Sequence, residues 1–195
     1  EISLWWHVSN HHFARGGPLI SPVIGNLSEL KGNLLFERLR DAFLIGILVI
    51  MALYHLGIFS QRTKDTTSLW FGLLCLVVAV RQISTSRFIE ILAQPASSAQ
   101  FEAREMLEYG SMILGLPLAM LFVASLIPGR WIQRIAYAVS IGCAFYLVMI
   151  LTQPAQTYSA WVDYYQAMLF VSMTVFVLHA LSAWFKGNRL AGLTL

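Results

Sequence analysis

Charged and metal-ligating side chains are scarce in this chain, so each one that interrupts an apolar run is informative. Arg81 follows the mostly apolar run Ser68–Val80, which carries no charge. A guanidinium at that depth in a membrane is costly and is expected to face protein, water or a partner. Glu108 and Asp163 fall near the matching ends of two later apolar runs and are the candidate carboxylates for it. Two readings stay open. Arg81, Glu108 and Asp163 form an intramembrane polar switch, or Arg81 is a structural clamp or snorkels outward along its own stem.

His55 and His179 lie toward the same-side ends of the first and fifth apolar runs. Two facing histidines are the chemistry of an axial haem pair, but nothing in their spacing pairs them. With Tyr54 they are read as helix-interface residues. His7, His11 and His12 cluster near the start. A metal site needs a fixed ligand set with supporting hydrogen bonds, and one histidine pair on a loop is read as polar surface. The chain has no nucleotide-binding loop, no His-Glu-x-x-His, no Gly-x-Ser-x-Gly and no intramembrane carboxylate pair. No catalytic residue, metal or cofactor is expected in it, and its ligand-binding residues are unknown.

The elements that hold these residues follow from composition. Of 195 residues, 57% are hydrophobic and 12% charged, about half the roughly 25% charge of soluble domains. With mean hydropathy +0.66 and apolar runs near the length that crosses a bilayer, the fold class is an all-α polytopic membrane helix bundle. Spans are expected at about 42–60, 68–92, 106–127, 131–152 and 161–185, with the start of another at 190–195. The chain is read as an internal fragment. The basic pI of 9.0 points to the bilayer and not to nucleic acid, because Lys and Arg sit at the ends of apolar runs. Cys75 and Cys143 lie inside such runs and are read as small hydrophobes.

Residues 1–25 read differently. Ile2, Leu4, Trp6 and Val8 alternate with other residues, a period-2 pattern for a half-buried strand. Gly16-Gly17-Pro18 breaks it, and 19–24 suits a second short strand. Two strands are not a domain, so this is read as the end of an extracytoplasmic β-sandwich. Residues 26–41 are read as a connecting helix with Leu30, Leu34, Leu35 and Leu39 on one face. Asn26-Leu27-Ser28 matches a glycosylation sequon, a short motif of little weight. Small residues at helical spacing, Ser111-Gly115-Ala119, Ala42-Gly46 and Ala138-Gly142, suit close helix packing.

Loop charge sets the orientation. Arg62, Lys64, Arg130, Arg134, Lys186 and Arg189 lie at one end of the spans. The opposite loops are uncharged at 153–160 and mixed at 93–105. The positive-inside rule therefore places the N-terminal side outside. Lys31, Arg38 and Arg40 oppose this, but a translocated folded domain is largely exempt from the rule.

The residues then resemble a known family. Asp41-Ala-Phe-Leu-Ile-Gly46, Met51-Ala-Leu-Tyr54-His55-Leu56-Gly-Ile-Phe59, Arg62-Thr-Lys64-Asp65, Leu69-Trp-Phe71-Gly72-Leu-Leu74 and Ala79-Val-Arg81 are similar to the bacterial seven-transmembrane receptors with diverse intracellular signalling modules. Val8-Ser9-Asn10, Gly16-Gly17 and Ile24-Gly25 resemble the end of their sensor, and Glu108-Tyr109, Pro117 and Pro128 also fit. The likeness covers most of the chain and is looser after residue 130. It implies a jelly-roll sensor outside the bacterial inner membrane, seven spans, and a cytoplasmic output such as a kinase or cyclase. Tyr54, His55 and Arg81 match the pattern without inheriting a role. The expected function is transmembrane relay of ligand sensing, not catalysis within this segment. The expected partners are the bilayer, the sensor and output modules of the same chain, and a second copy if it dimerises. A transporter or permease subunit is the alternative, although Pro117 is the one strong span interruption and such proteins pair theirs. A purely structural anchor is the third.

Overall fold

The computed structural model describes residues 25–86 and 98–185. The expected strands, His7, His11 and His12, the end of the second expected span and the start at 190–195 lie outside the described residues. Among the described residues there is helix and no strand. The helices are α1 (Leu27–Gln61), α2 (Thr66–Thr85), α3 (Ser98–Leu126), α4 (Arg130–Thr152), α5 (Ala155–Ala160) and α6 (Val162–Phe185). Five of them are long and apolar enough to cross a membrane. In hydrocarbon the backbone has no water to bond, so helices that satisfy their own N–H and C=O groups are the natural solution.

Local chemistry sets the ends. Asn26 caps α1, its Oδ1 accepting from the Ser28 N–H at 3.2 Å and the Ser28 hydroxyl at 3.1 Å. The sequon asparagine is thus engaged as a helix cap. Nothing between 27 and 61 breaks the helix, so the connecting segment and the first span are one element of 35 residues. Asp65 caps α2 through Ser68, with hydrogen bonds of 3.3 Å to its N–H and 2.7 Å to its hydroxyl. Those bonds to the Ser68 hydroxyl and N–H hold the Asp65 carboxyl below its ordinary pKa. Segment 153–160, expected as a loop, instead winds into α5 and buries Ala155, Tyr158 and Ser159.

The five long helices alternate in direction along the chain. α1 packs on α2, α2 on α3 and α3 on α4, while α6 lies against α3 and α4. α3 and α6 therefore run parallel. Burial is uneven: 44% of the apolar window of α3 is buried, against 6% for α1 and 11% for α6. α3 is the centre, and its buried stripe Ile113, Leu116, Met120 and Ala124 meets Ile132, Ala136 and Cys143 of α4. Exposed apolar side chains such as Phe43, Ile50, Phe170 and Leu178 suit lipid contact.

Helices in lipid gain little from burying apolar surface against each other and rely on close backbone approach. Small side chains on α2 allow it: Ser68, Gly72, Cys75 and Ala79 are the buried face. A Cβ on Gly72 would lie 3.0 Å from Leu56 Cγ and 3.2 Å from the Leu56 backbone nitrogen of α1. Of the small-residue motifs expected from spacing, Gly46 and Gly115 face open space, with nothing within 4 Å of an added Cβ. Gly72→Ala is expected to lower stability by about 1–3 kcal/mol, because a backbone atom cannot yield. Gly46→Ala is expected to stay within about 0.5 kcal/mol of the native protein. Thermal unfolding of both variants in detergent micelles measures the contrast.

Candidate functional site

Arg81 lies one turn before the end of α2 and is half-buried against α3. Its Nη1 donates to the backbone carbonyl of Glu108 at 3.2 Å. The Ser111 hydroxyl donates to the same oxygen at 3.0 Å. The contact with Glu108 is thus to its main chain and not to its carboxylate. A charge-assisted bond to a carbonyl gives the guanidinium a polar partner without burying a second ion. Asp163 stands in the first turn of α6, where a carboxylate favours the helix dipole.

One turn further along α3, the Tyr165 hydroxyl of α6 donates to the Met112 carbonyl at 2.6 Å. Tyr165 is buried and lies within electrostatic reach of Arg81. Helices α2 and α6 therefore both donate to neighbouring carbonyls of α3. Pro117 lies just beyond, inside the same helix. Having no N–H, it leaves the Ile113 carbonyl without its usual helical donor.

A tyrosine cluster closes this end. The Tyr109 and Tyr158 rings meet edge-on at 5.2 Å, and those of Tyr146 and Tyr165 lie 6.2 Å apart. The Tyr146 hydroxyl donates to the Tyr158 carbonyl at 2.5 Å, pinning α5 to α4. Tyr158 is fully buried, and its own hydroxyl has no hydrogen-bond partner. Burial, with Glu105 and Glu102 nearby, pushes its pKa up to about 12. Glu105 is 4% exposed, with Arg104 Nη2 at 3.6 Å. The sequence placed it in a mixed-charge loop. Tracing the buried stripe of α3 backward from Ile113 through Tyr109 would have found it.

At the other end of the bundle, the two interface histidines have separate surroundings. His55 packs edge-on against Phe71 at 4.6 Å and Tyr54 at 5.2 Å, with its Nδ1 buried and without a hydrogen-bond partner. His179 Nε2 lies 3.2 Å from the Ile127 carbonyl oxygen. Among the described residues no group of three His, Cys, Asp or Glu side chains is placed to hold a metal. The arrangement couples helices through polar contacts.

Arg81→Met is expected to lower stability by about 1–2 kcal/mol through the lost charged hydrogen bond. Because the acceptor is main chain, the swap Arg81→Glu with Glu108→Arg is expected to be no more stable than Arg81→Glu alone. Thermal unfolding of the three variants decides it, and recovery of most of the loss by the swap would show a carboxylate pair instead.

The family model described as 7TM diverse intracellular signalling matches residues 37–195. No curated protein and no solved structure matches the chain.

Proposed function

We infer the function of this chain from one premise: it belongs to the 7TM diverse intracellular signalling family. Membership makes it a multi-pass membrane domain of receptor type with a signalling role. Within that role, the chain relays ligand sensing by an extracytoplasmic domain to a cytoplasmic output module, across a bacterial inner membrane and with its N-terminal side outside. It is a relay and not an enzyme; any kinase or cyclase chemistry belongs to the output module.

The observation that carries this reading is α1. It is one helix of 35 residues, about 52 Å long at about 1.5 Å per residue. A hydrocarbon core is about 30 Å thick, so about 20 Å of helix stands clear of it. All the charged residues of α1, from Glu29 to Asp41, lie in its first half, which is therefore the part outside the hydrocarbon. A push or twist applied there is transmitted by an unbroken rod to Ala52 and Leu56, where α2 packs. α2 passes it to α3 through Arg81. Such a relay requires two helix packings close in energy and a ligand that prefers one of them. Arg81 suits the switching element, because a single hydrogen bond to a carbonyl can be exchanged for a neighbouring one.

Insertion of three or four residues after Gly32 in the full-length protein is expected to uncouple output from sensing, since a rod transmits register. Unchanged signalling would count against the lever. The orientation has its own test in a variant with Cys75 and Cys143 replaced by Ala. Gln156→Cys, exposed on α5, should react with a membrane-impermeant maleimide in intact cells. Thr63→Cys, exposed in the α1–α2 turn, should react only after permeabilisation. The opposite pattern would invert the topology.

A further inference from the structure

Helix α6 contributes little to the apolar core, yet two polar contacts tie it to α3. Tyr165 holds the Met112 carbonyl and His179 holds the Ile127 carbonyl, at sequence offsets of 53 and 52. Fourteen residues separate Tyr165 from His179, about four helical turns, so both lie on one face of α6. The nearly equal offsets describe two parallel helices in a single register.

The two ties differ in their surroundings. Tyr165 is embedded in the main core. His179 sits beside a small separate cluster of Ile127 and Ala180, flanked by Leu126, Phe176 and Ala183. The Ile127 carbonyl follows the last turn of α3. Helices leave their final carbonyls without donors. The next residue, Pro128, has no N–H, and the last turn of α3 carries no basic side chain. His179 supplies a donor from another helix. A carbonyl only accepts, so Nε2 carries the hydrogen.

Gly129 confirms how closely the ring is seated. A Cβ there would lie 3.0 Å from His179 Cε1. Its φ of −160° is ordinary extended backbone, so the close constraint on a side chain at 129 comes from the imidazole and not from the turn.

We propose that His179 is a releasable clasp between α6 and the α3–α4 turn. Closed, it fixes the register of α6 at the end of the bundle that bears Arg62 and Arg130. Open, it lets that end of α6 swing while Tyr165 acts as the pivot. One hydrogen bond and a small apolar cluster hold the clasp, whereas the pivot is fixed in the core. A packed interface of this kind has discrete arrangements and does not deform continuously.

The test uses paired spin labels at Arg130→Cys and Ser182→Cys, both exposed, in protein with Cys75 and Cys143 replaced by Ala and reconstituted in lipid nanodiscs. Dipolar spectroscopy of the otherwise native chain should give one narrow distance distribution. His179→Leu should add a second population shifted by about 4 Å, as a swing of about 10° gives over the ~25 Å of helix from Tyr165 to residue 182. Gly129→Ala, which displaces the ring and deletes no polar group, should do the same and serves if His179→Leu fails to fold. His179→Gln keeps an N–H donor and should retain the single population. Unchanged distributions in both His179→Leu and Gly129→Ala would overturn the clasp. So would a His179→Gln distribution as divided as that of His179→Leu, because ring packing and not the hydrogen bond would then be responsible. The measurement needs neither ligand nor output, so its failure leaves the receptor reading standing.

Discussion

The bundle depends on the backbone carbonyls of α3. Inside a bilayer, apolar side chains are as well solvated by lipid as by one another, so helix association needs close contact or polar ties. Here the polar ties converge on α3 and the residue that follows it. Arg81 of α2 reaches the Glu108 carbonyl, Tyr165 of α6 reaches the Met112 carbonyl, and His179 of α6 reaches the Ile127 carbonyl. Each acceptor is main chain, so each tie fixes a helix position and orientation without burying a compensating charge. Pro117 sits between the two groups of contacts and weakens the helix's own ladder there.

Around that centre, rigidity falls off outward. α3 and α4 share the apolar core, and α5 plugs one end through Tyr158 and the Tyr146 hydrogen bond. α1 and α6 are peripheral, each mostly facing what would be lipid. α1 packs through a small-residue seam at Gly72, and the Tyr165 and His179 hydrogen bonds are among the ties of α6. These are the elements whose movement disturbs the core least, and a relay needs movable parts attached to a fixed one. The proposed input through α1 and the proposed clasp on α6 meet through α2, Arg81 and the carbonyls of α3.

Much of this was legible in particular residues. Arg81 stood out because charge within an apolar run is costly, and the five long apolar helices followed from run length. The Glu108 carbonyl was not legible as the acceptor, because every residue carries a carbonyl and sequence reasoning matches charge with charge. Gly46 and Gly115 had the spacing of packing residues yet face open space, while Gly72, which has the close neighbour, stood out only in the family likeness and not as a packing residue. Spacing identifies a face of a helix but not whether another helix occupies it. The clustering of Glu105 with four tyrosines was not legible, although Tyr109 stood in the family-like Glu108-Tyr109 pair, because it draws on α3, α4, α5 and α6, whose proximity no local pattern encodes.

The amino-acid order by itself determined which segments are long and apolar enough to cross a membrane, that they form helices, which end of the bundle carries the positive charge, and that Arg81 must find a polar partner. These follow from transfer energies and periodicity, which are local. Only the tertiary structure decided that α3 lies at the centre, that α1 runs unbroken from Leu27 to Gln61, that 155–160 winds and buries Tyr158, and that Arg81, Tyr165 and His179 end on carbonyls. Those outcomes depend on which helices become neighbours, and in lipid that choice turns on sub-ångström fit and single hydrogen bonds, which composition does not resolve.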